Sequence, residues 1–472
     1  MRGTYPAVPV SAGETCTLTI DDLGIHGEGI GKYEGFTLFV PGALPGETIR
    51  ARVTLVKKSY AVGTLAEILT PSLERTVPAC PVYRACGGCQ ISHLTYAGQL
   101  QAKWRRAAGA VSKIGGYPAD IVRPVLAAAH PFGYRNKMAV PVGLSRGRVR
   151  LGYYRQGSHT VIPTLSCAIQ QEANNRLLIF AETFMNQHGL APYDEKTRTG
   201  CVRHIMGRVG DGGKLMAVIV TATAELPCEK EWIREMRDAL PELVSLYHNV
   251  QSRPGNVILG PKIRCLWGRK TLAASLCGLT FEVSPYSFFQ VNPEQAEVLY
   301  NTALDFADLT GQETVIDAYC GTGTISLCLA RKAKRVIGIE IVPDAIRDAK
   351  KNAAANGIAH AEFYAADAGR LMPELYEEGL SPDVIVCDPV RAGCSEDVLR
   401  AAAGMRPRRI VYVSCNPATF ARDAARLRPL GYTLVKVQPV DMFPQTTHVE
   451  LVSLLVLKDI LTHQFEHMAG KK

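Results

Sequence analysis

The spacing of apolar positions changes near residue 313, from short alternating runs to longer buried runs separated by helix-like segments. Continuous apolar runs bounded by turns are typical of strands buried on both faces, and intervening helices make their sheet parallel. We therefore predict a doubly wound, Rossmann-like α/β domain over residues 281–460, with ligands at the carboxyl ends of its strands. The predicted strands lie in "ETVIDAYCG", "KRVIGIE", "AEFYAAD", "PDVIVCDP" and "RRIVYVSC".

The first seventy residues show a different pattern. Short β-type runs such as "TCTLTIDDL" and "GFTLFVPG" alternate with glycine and proline turns, which predicts a small five-stranded barrel of the oligonucleotide-binding (OB) type over residues 1–71. Residues 72–280 read as a mixed α+β region with a hairpin in "GRVGDGGKLMAVIVTA". The last residues, 461–472, are predicted to be a flexible tail.

Acidic residues end three consecutive predicted strands of the C-terminal domain. Glu340, Asp367 and Asp388 would meet at one sheet edge, beside the glycine turn "DAYCGTGTI". That turn lacks the third glycine of a dinucleotide fingerprint and the lysine of a P-loop, so a phosphate ligand is disfavoured. A cationic ligand with a ribose suits the acidic rim, and S-adenosylmethionine is the common one. A single acid at a strand end is often only a helix cap.

Cys415 stands between the strand "RRIVYVSC" and a helix that begins at Pro417. Asn416 is a strong N-cap and proline suits the first helical position. The helix dipole should then lower the thiol pKa, and Cys415 would lie on the same edge as the methyl donor. This position favours a nucleophile over a buried structural cysteine.

Three cysteines form a separate motif, C-x5-C-x2-C, in "CPVYRACGGC". Cys80, Cys86 and Cys89 would bind a metal centre, with Cys167 as the fourth ligand and Cys201 as a less favoured choice. The spacing leaves zinc and an iron–sulfur cluster both open. With fourteen cysteines and no export signal, a disulfide framework is disfavoured and a cytoplasmic location is expected.

The composition bears on possible partners. The net charge is +9, and basic residues cluster in "KWRR", "SRGRVR" and "RPRR", which favours a nucleic acid. No apolar run is long enough to cross a bilayer, so no membrane is expected. Nothing in the pattern indicates an obligate protein partner.

Several motifs resemble those of the RNA uracil-5-methyltransferases that act on bacterial 23S ribosomal RNA and tRNA: "FGYRNKM", "SPYSFFQVN", "DAYCGTG", "DPVRAG", "SCNPATF" and "HVELV", in that order. The resemblance implies that the barrel is an RNA-binding TRAM domain and that the reaction forms 5-methyluridine. It implies a 4Fe–4S cluster on Cys80, Cys86, Cys89 and Cys167, and S-adenosylmethionine binding by Gln290, Tyr319, Glu340, Asp388 and, as a weaker match, Asp367. It also implies that Cys415 is the nucleophile and that Glu450 is the base. The uracil must leave its stack to react, and Phe288 and Phe289 are candidate stacking partners, with a role in the core as the alternative for each.

One departure from the family pattern stands out. Val390 and Ala392 replace a proline and a lysine that the family usually has, although Asp388, Pro389 and Arg391 remain. This leaves a catalytically lapsed iron–sulfur RNA-binding protein as an alternative. Methylation of a base amino group is disfavoured, because "DPVR" replaces the [DN]PP[YF] signature. The paired barrel and cysteine motif favour 23S ribosomal RNA, with tRNA as the alternative substrate.

Overall fold

The computed structural model describes residues 8–459, so the predicted tail at 461–472 lies outside the described residues. Across that described span, no helix has both the length and the apolar character needed to cross a membrane. The chain forms a barrel, then a central sheet with its helices, and then a second large sheet.

The N-terminal strands close into the predicted five-stranded barrel, in the order β1-β2-β3-β5-β4. Alternation along each strand puts Leu18, Ile20, Val40 and Ile49 inside, where they form one apolar core. The strands are β1 (Thr15–Leu23), β2 (Glu28–Tyr33), β3 (Phe36–Pro41), β4 (Thr48–Val56) and β5 (Tyr60–Thr70).

The central region combines helices with a seven-stranded sheet, as the mixed pattern predicts. The predicted hairpin is present, with Asp211–Gly213 as its turn between antiparallel strands. Its elements are α1 (Tyr96–Lys113), β6 (Lys137–Ser145), β7 (Arg148–Tyr154), β8 (Val161–Pro163), α2 (Glu172–Gln187), β9 (Val202–Val209), β10 (Leu215–Thr221), α3 (Glu229–Ala239), β11 (Leu243–Val250) and β12 (Lys262–Gly268). A separate hairpin, β13 (Leu272–Leu276) and β14 (Leu279–Val283), follows it.

The C-terminal sheet has the order β17-β16-β15-β18-β19-β21-β20, and its first five strands are parallel. This confirms the doubly wound prediction. The elements are α4 (Pro293–Ala307), β15 (Thr314–Ala318), α5 (Thr324–Ala330), β16 (Arg335–Glu340), α6 (Pro343–Ala355), β17 (Ala361–Ala365), α7 (Ala368–Glu377), β18 (Val384–Cys387), α8 (Glu396–Gly404), β19 (Arg409–Ser414), α9 (Pro417–Leu427), β20 (Tyr432–Val440) and β21 (Glu450–Leu457).

The last strand runs against the direction of the five predicted parallel strands. Strand β21 runs antiparallel to both β19 and β20. No helix separates β20 from β21, so the connection at 441–449 reverses the chain between strands that pair directly. Because of this reversal, Leu451 pairs with Ser414, the last residue of β19, and Glu450 opens β21 one residue before that pair. We call the connection the 441–449 loop.

Helix α1 holds the 441–449 loop with one polar face. Tyr96, Gln99, Lys103 and Arg106 follow the three- and four-residue spacing that places side chains on one side of a helix. Lys103 and Asp441 form a fully buried ion pair, and the Tyr96 hydroxyl donates to Asp441 Oδ2 over 3.0 Å. Removing one partner of such a buried pair strongly destabilises the folded protein, because the other charge is left buried and unpaired. The pair therefore fixes the start of the loop.

The other parts of the chain meet the same loop. Gln99 Oε1 accepts from the Gln445 backbone N–H over 2.9 Å, and Gln445 O accepts from Ile91 N, which follows the cysteine motif, over 3.2 Å. From the barrel, Ile25 O accepts a 2.9 Å hydrogen bond from Thr447 Oγ1. The barrel, the cysteine segment and helix α1 therefore converge just before Glu450.

Candidate active site at the carboxyl edge of the C-terminal sheet

Cys415 lies at the carboxyl end of β19, where the strand meets helix α9. As predicted, the Asn416 side chain caps the helix by accepting from Ala418 N over 3.1 Å, and Pro417 occupies the first turn. Ser414 Oγ accepts from Asn416 N over 3.1 Å and donates to Asn416 O over 3.1 Å, which tightens the turn. The thiol is half-buried at this corner.

The acidity of the Cys415 thiol differs from the prediction. Burial, reinforced by Glu450, raises the pKa of Cys415 above its ordinary value, whereas a hydrogen bond from Arg391 lowers it. The helix N-terminus alone therefore does not make this thiol acidic, because the corner also excludes water and faces carboxylates. Arg391 is the group that favours the thiolate.

Two carboxyl groups face the same corner. Burial raises the pKa of Glu450 to about 8, with a further contribution from Asp388 that Arg391 opposes. Burial also raises the pKa of Asp388 to about 6. Within residues 8–459, Glu450 forms no ion pair, so no salt bridge accounts for an acid at the start of this buried strand. A carboxyl with a pKa near neutrality suits general acid–base chemistry.

The neighbouring strand ends carry the residues predicted to bind the methyl donor. Glu340, at the end of β16, accepts from Val342 N over 3.0 Å and from Gly321 N over 3.3 Å. Tyr319 has φ +75°, a left-handed conformation that turns the chain sharply after β15. A Cβ at Gly321 would meet no atom within 4 Å, so the turn leaves open space beside Glu340 for a ligand.

Of the remaining predicted residues, Gln290 lies near the glycine turn, whereas Asp367 and Phe289 have structural roles. Gln290 is half-buried, and its backbone carbonyl accepts a 3.1 Å hydrogen bond from the Asn136 side chain. Two residues earlier, the carbonyl of exposed Phe288 accepts from Thr322 Oγ1, which belongs to the glycine turn. Asp367 instead caps helix α7, accepting from Arg370 N over 3.2 Å. Phe289 is buried against Phe281, which makes it a core residue.

Comparison with known proteins agrees with this arrangement. A family model described as tRNA (Uracil-5-)-methyltransferase matches residues 269–458, and a TRAM domain model matches residues 9–66. An uncharacterized RNA methyltransferase of Halalkalibacterium halodurans is 45% identical over 96% of this chain and 99% of its own length. Another, of Bacillus cereus, is 46% identical over 95% and 97%. The chain belongs to the RNA uracil-5-methyltransferase family.

A solved member of this family has the same architecture. Pyrococcus abyssi tRNA (uracil-54, C5)-methyltransferase, in complex with S-adenosyl-L-homocysteine, is 27% identical, with a TM-score of 0.74 over 93% of this chain and 99% of that one. The chain is thus an S-adenosylmethionine-dependent RNA methyltransferase with a class I fold and an N-terminal TRAM domain.

The four predicted metal ligands of the methyltransferase come from two segments. Burial, together with the neighbouring thiols of Cys167, Cys86 and Cys80, raises the pKa of Cys89 to about 12. Gly88 N donates to Cys86 Sγ over 3.4 Å. Four thiols within mutual influence are the donor chemistry that an iron–sulfur cluster or zinc requires. Nevertheless, no group of three or more His, Cys, Asp or Glu side chains in residues 8–459 is arranged to hold a metal ion.

Two residues near the site were given no role by the sequence predictions. Arg391 is the cation that contacts Cys415, and its place in "DPVRAG" was the available signal. Asp317, fully buried in β15, accepts from Ser326 Oγ over 2.5 Å, and burial raises its pKa to about 7. Its position inside a strand made it look like part of the core.

The raised pKa of Glu450 predicts a pH-dependent stability difference. An unfolded glutamate ionises near pH 4.5 and the folded Glu450 near pH 8, so folding loses stability as the pH rises between these values. Glu450→Gln removes that loss of unfolding free energy. One pKa unit corresponds to about 1.4 kcal/mol, so the upper limit of the effect is about 5 kcal/mol. We expect the melting temperature of Glu450→Gln relative to wild type to be several degrees higher at pH 8.5 than at pH 5. Exposed Glu67→Gln is the control, and an equal difference at both pH values would contradict the assignment.

Proposed function

We propose that this methyltransferase forms 5-methyluridine in 23S ribosomal RNA through a covalent bond between Cys415 and C6 of the target uracil. The observation that carries this proposal is the meeting of Cys415, Arg391 and Glu450 at one corner beside the open glycine turn. S-adenosylmethionine, when bound, supplies the methyl group. Glu340, Tyr319, Gln290 and Asp388 are the residues proposed to hold it.

The residues act in sequence in this proposal. Cys415, as a thiolate stabilised by Arg391, adds to C6 and makes C5 nucleophilic, which splits one difficult step into two. After C5 is methylated, Glu450 accepts the C5 proton, the C5–C6 double bond re-forms and Cys415 leaves as a thiolate. A uracil can reach this corner only when it has left its stack. Exposed Phe288 is the candidate stacking partner.

The altered loop at 388–394 does not argue for lost catalysis. Its shape depends on backbone contacts, since Arg422 donates to Ala392 O over 2.8 Å and Asp423 accepts from Cys394 N over 2.9 Å. Val390 is exposed. Asp388, Arg391, Cys415 and Glu450 are all present at this corner, so we favour an active enzyme over a lapsed RNA-binding protein.

The choice of 23S ribosomal RNA is supported by the resemblance in which a barrel and a C-x5-C-x2-C motif occur together. A second candidate is tRNA, because the solved Pyrococcus abyssi relative is a tRNA (uracil-54, C5)-methyltransferase and matches 93% of this chain. The part of this chain outside that match is shorter than the barrel, so the match includes barrel residues. The barrel alone therefore does not separate the two substrates.

Mapping of 5-methyluridine in a strain that lacks the gene decides between them. We expect one or more 23S sites to lose methylation, and a plasmid with the wild-type gene to restore it. The same plasmid with Cys415→Ala should not restore it, which controls for effects of the protein's presence. Loss confined to tRNA would overturn the 23S proposal.

We also propose that Cys80, Cys86, Cys89 and Cys167 hold a 4Fe–4S cluster. The support is the motif and the proximity of the four thiols, so metal binding would have to draw them into a closed set. Protein purified without oxygen should be brown, with broad absorbance toward the blue end of the visible spectrum.

Cys86→Ser or Cys89→Ser should remove this colour, whereas Cys265→Ser, an exposed cysteine outside the motif, should keep it. Iron and sulfide analysis of the same samples gives the measurement. A colourless wild-type protein that contains zinc would show that the cluster assignment is wrong.

A further inference from the structure

Arg106 lies where helix α1 meets the 441–449 loop. Its Nη1 donates to Thr447 O over 2.8 Å, three residues before the proposed base Glu450. The side chain is only half-buried, so the guanidinium has further donors that remain available to a ligand.

Two other arginines face the same place. Arg391, exposed, has its carbonyl tied to the start of α9 by Asn416 Nδ2 over 3.3 Å and Thr419 Oγ1 over 3.2 Å. Arg135 is half-buried and donates from Nε to Lys137 O over 3.3 Å. Within residues 8–459, none of these three arginines forms an ion pair with a carboxylate. Burial, followed by the charge of Arg391, lowers the pKa of Arg106, as expected for two neighbouring cations.

His448 marks the centre of this group. Burial, followed by the charges of Arg391, Arg106, Lys103 and Arg135, lowers the pKa of His448 to about 4. The imidazole is therefore neutral at pH 7 and adds no fourth positive charge. Lys103 is already neutralised by Asp441. The site therefore has three arginines beside an uncharged imidazole, and the carboxyl groups that face it, Glu450 and Asp388, both have pKa values raised by burial.

We propose that Arg106 and Arg391 bind a phosphodiester of the RNA that adjoins the reacting uridine. This inference rests on the proposed function, because it takes the Cys415 corner as the place where the uracil reacts. Arginine forks match phosphate oxygens two at a time. The site also lies beside Thr447, which the barrel contacts through Ile25, so the proposed phosphate site adjoins the TRAM domain.

The alternative role for Arg106 is to brace the 441–449 loop, and two substitutions separate the roles. Arg106→Gln can still donate to Thr447 O but has no charge, whereas Arg106→Lys keeps the charge. We expect Arg106→Gln to bind a target RNA fragment about tenfold or more weakly, since a charged hydrogen bond is lost. The slope of log K against log salt, between about 50 and 200 mM, should become shallower by about 0.7 to 0.9.

Arg106→Lys should keep most of the salt slope, and Arg234→Gln, an exposed arginine paired with Glu235, should leave affinity and slope unchanged. If Arg106→Gln has the wild-type slope and affinity, Arg106 only braces the loop and the proposal is overturned. The fragment is one that wild-type protein methylates, so a failure of the proposed function would appear separately, as absence of 5-methyluridine in the wild-type reaction.

A neutral methylphosphonate at either linkage beside the target uridine identifies the phosphate. At one linkage it should weaken wild-type binding by about the same factor as Arg106→Gln, and it should weaken Arg106→Gln no further. Additive losses at both linkages would place the arginine on another phosphate and contradict the inference.

Discussion

The hydrogen bond and charge of Arg391 beside Cys415 are the interaction on which the rest of the site depends. Burial and the neighbouring carboxyl groups raise the pKa of the thiol, and Arg391 alone among the larger influences on it acts in the opposite direction. The same arginine lowers the pKa of Glu450 against its burial. One guanidinium thus opposes, at both groups, the burial that favours their neutral forms.

The fold supplies this corner through the ends of its strands. Parallel strands β15, β16, β18 and β19 deliver Tyr319, Glu340, Asp388 and Cys415 to one edge, and the antiparallel β21 brings Glu450 beside them. The 441–449 loop that permits this reversal is held by the buried Lys103–Asp441 pair. Regions far apart in sequence therefore determine where the proposed base stands.

The sequence predicted what depends on local pattern. The barrel, the doubly wound strands and the Asn416 cap each follow from alternation, apolar runs or cap chemistry within a few residues, and each was found. The thiol acidity was wrong because it depends on burial and on charges from β21 and the 388–394 loop. The sequence could not decide whether Asp367 binds the methyl donor or caps a helix, because both roles require an acid at the end of a strand. The antiparallel direction of β21 was not predicted, because the apolar run of a buried strand is the same whichever way the strand runs.

The central claim, that Cys415 and Glu450 act one after the other on a single uracil, is tested most directly by trapping the covalent intermediate. With a methyl-labelled donor, Glu450→Gln should accumulate a labelled protein–RNA conjugate that survives denaturing electrophoresis, while turnover falls by about 10² to 10⁴. Cys415→Ala should form no conjugate, and Cys265→Ala, an exposed cysteine, should turn over like wild type. A labelled conjugate in Cys415→Ala, or none in Glu450→Gln, would contradict the account.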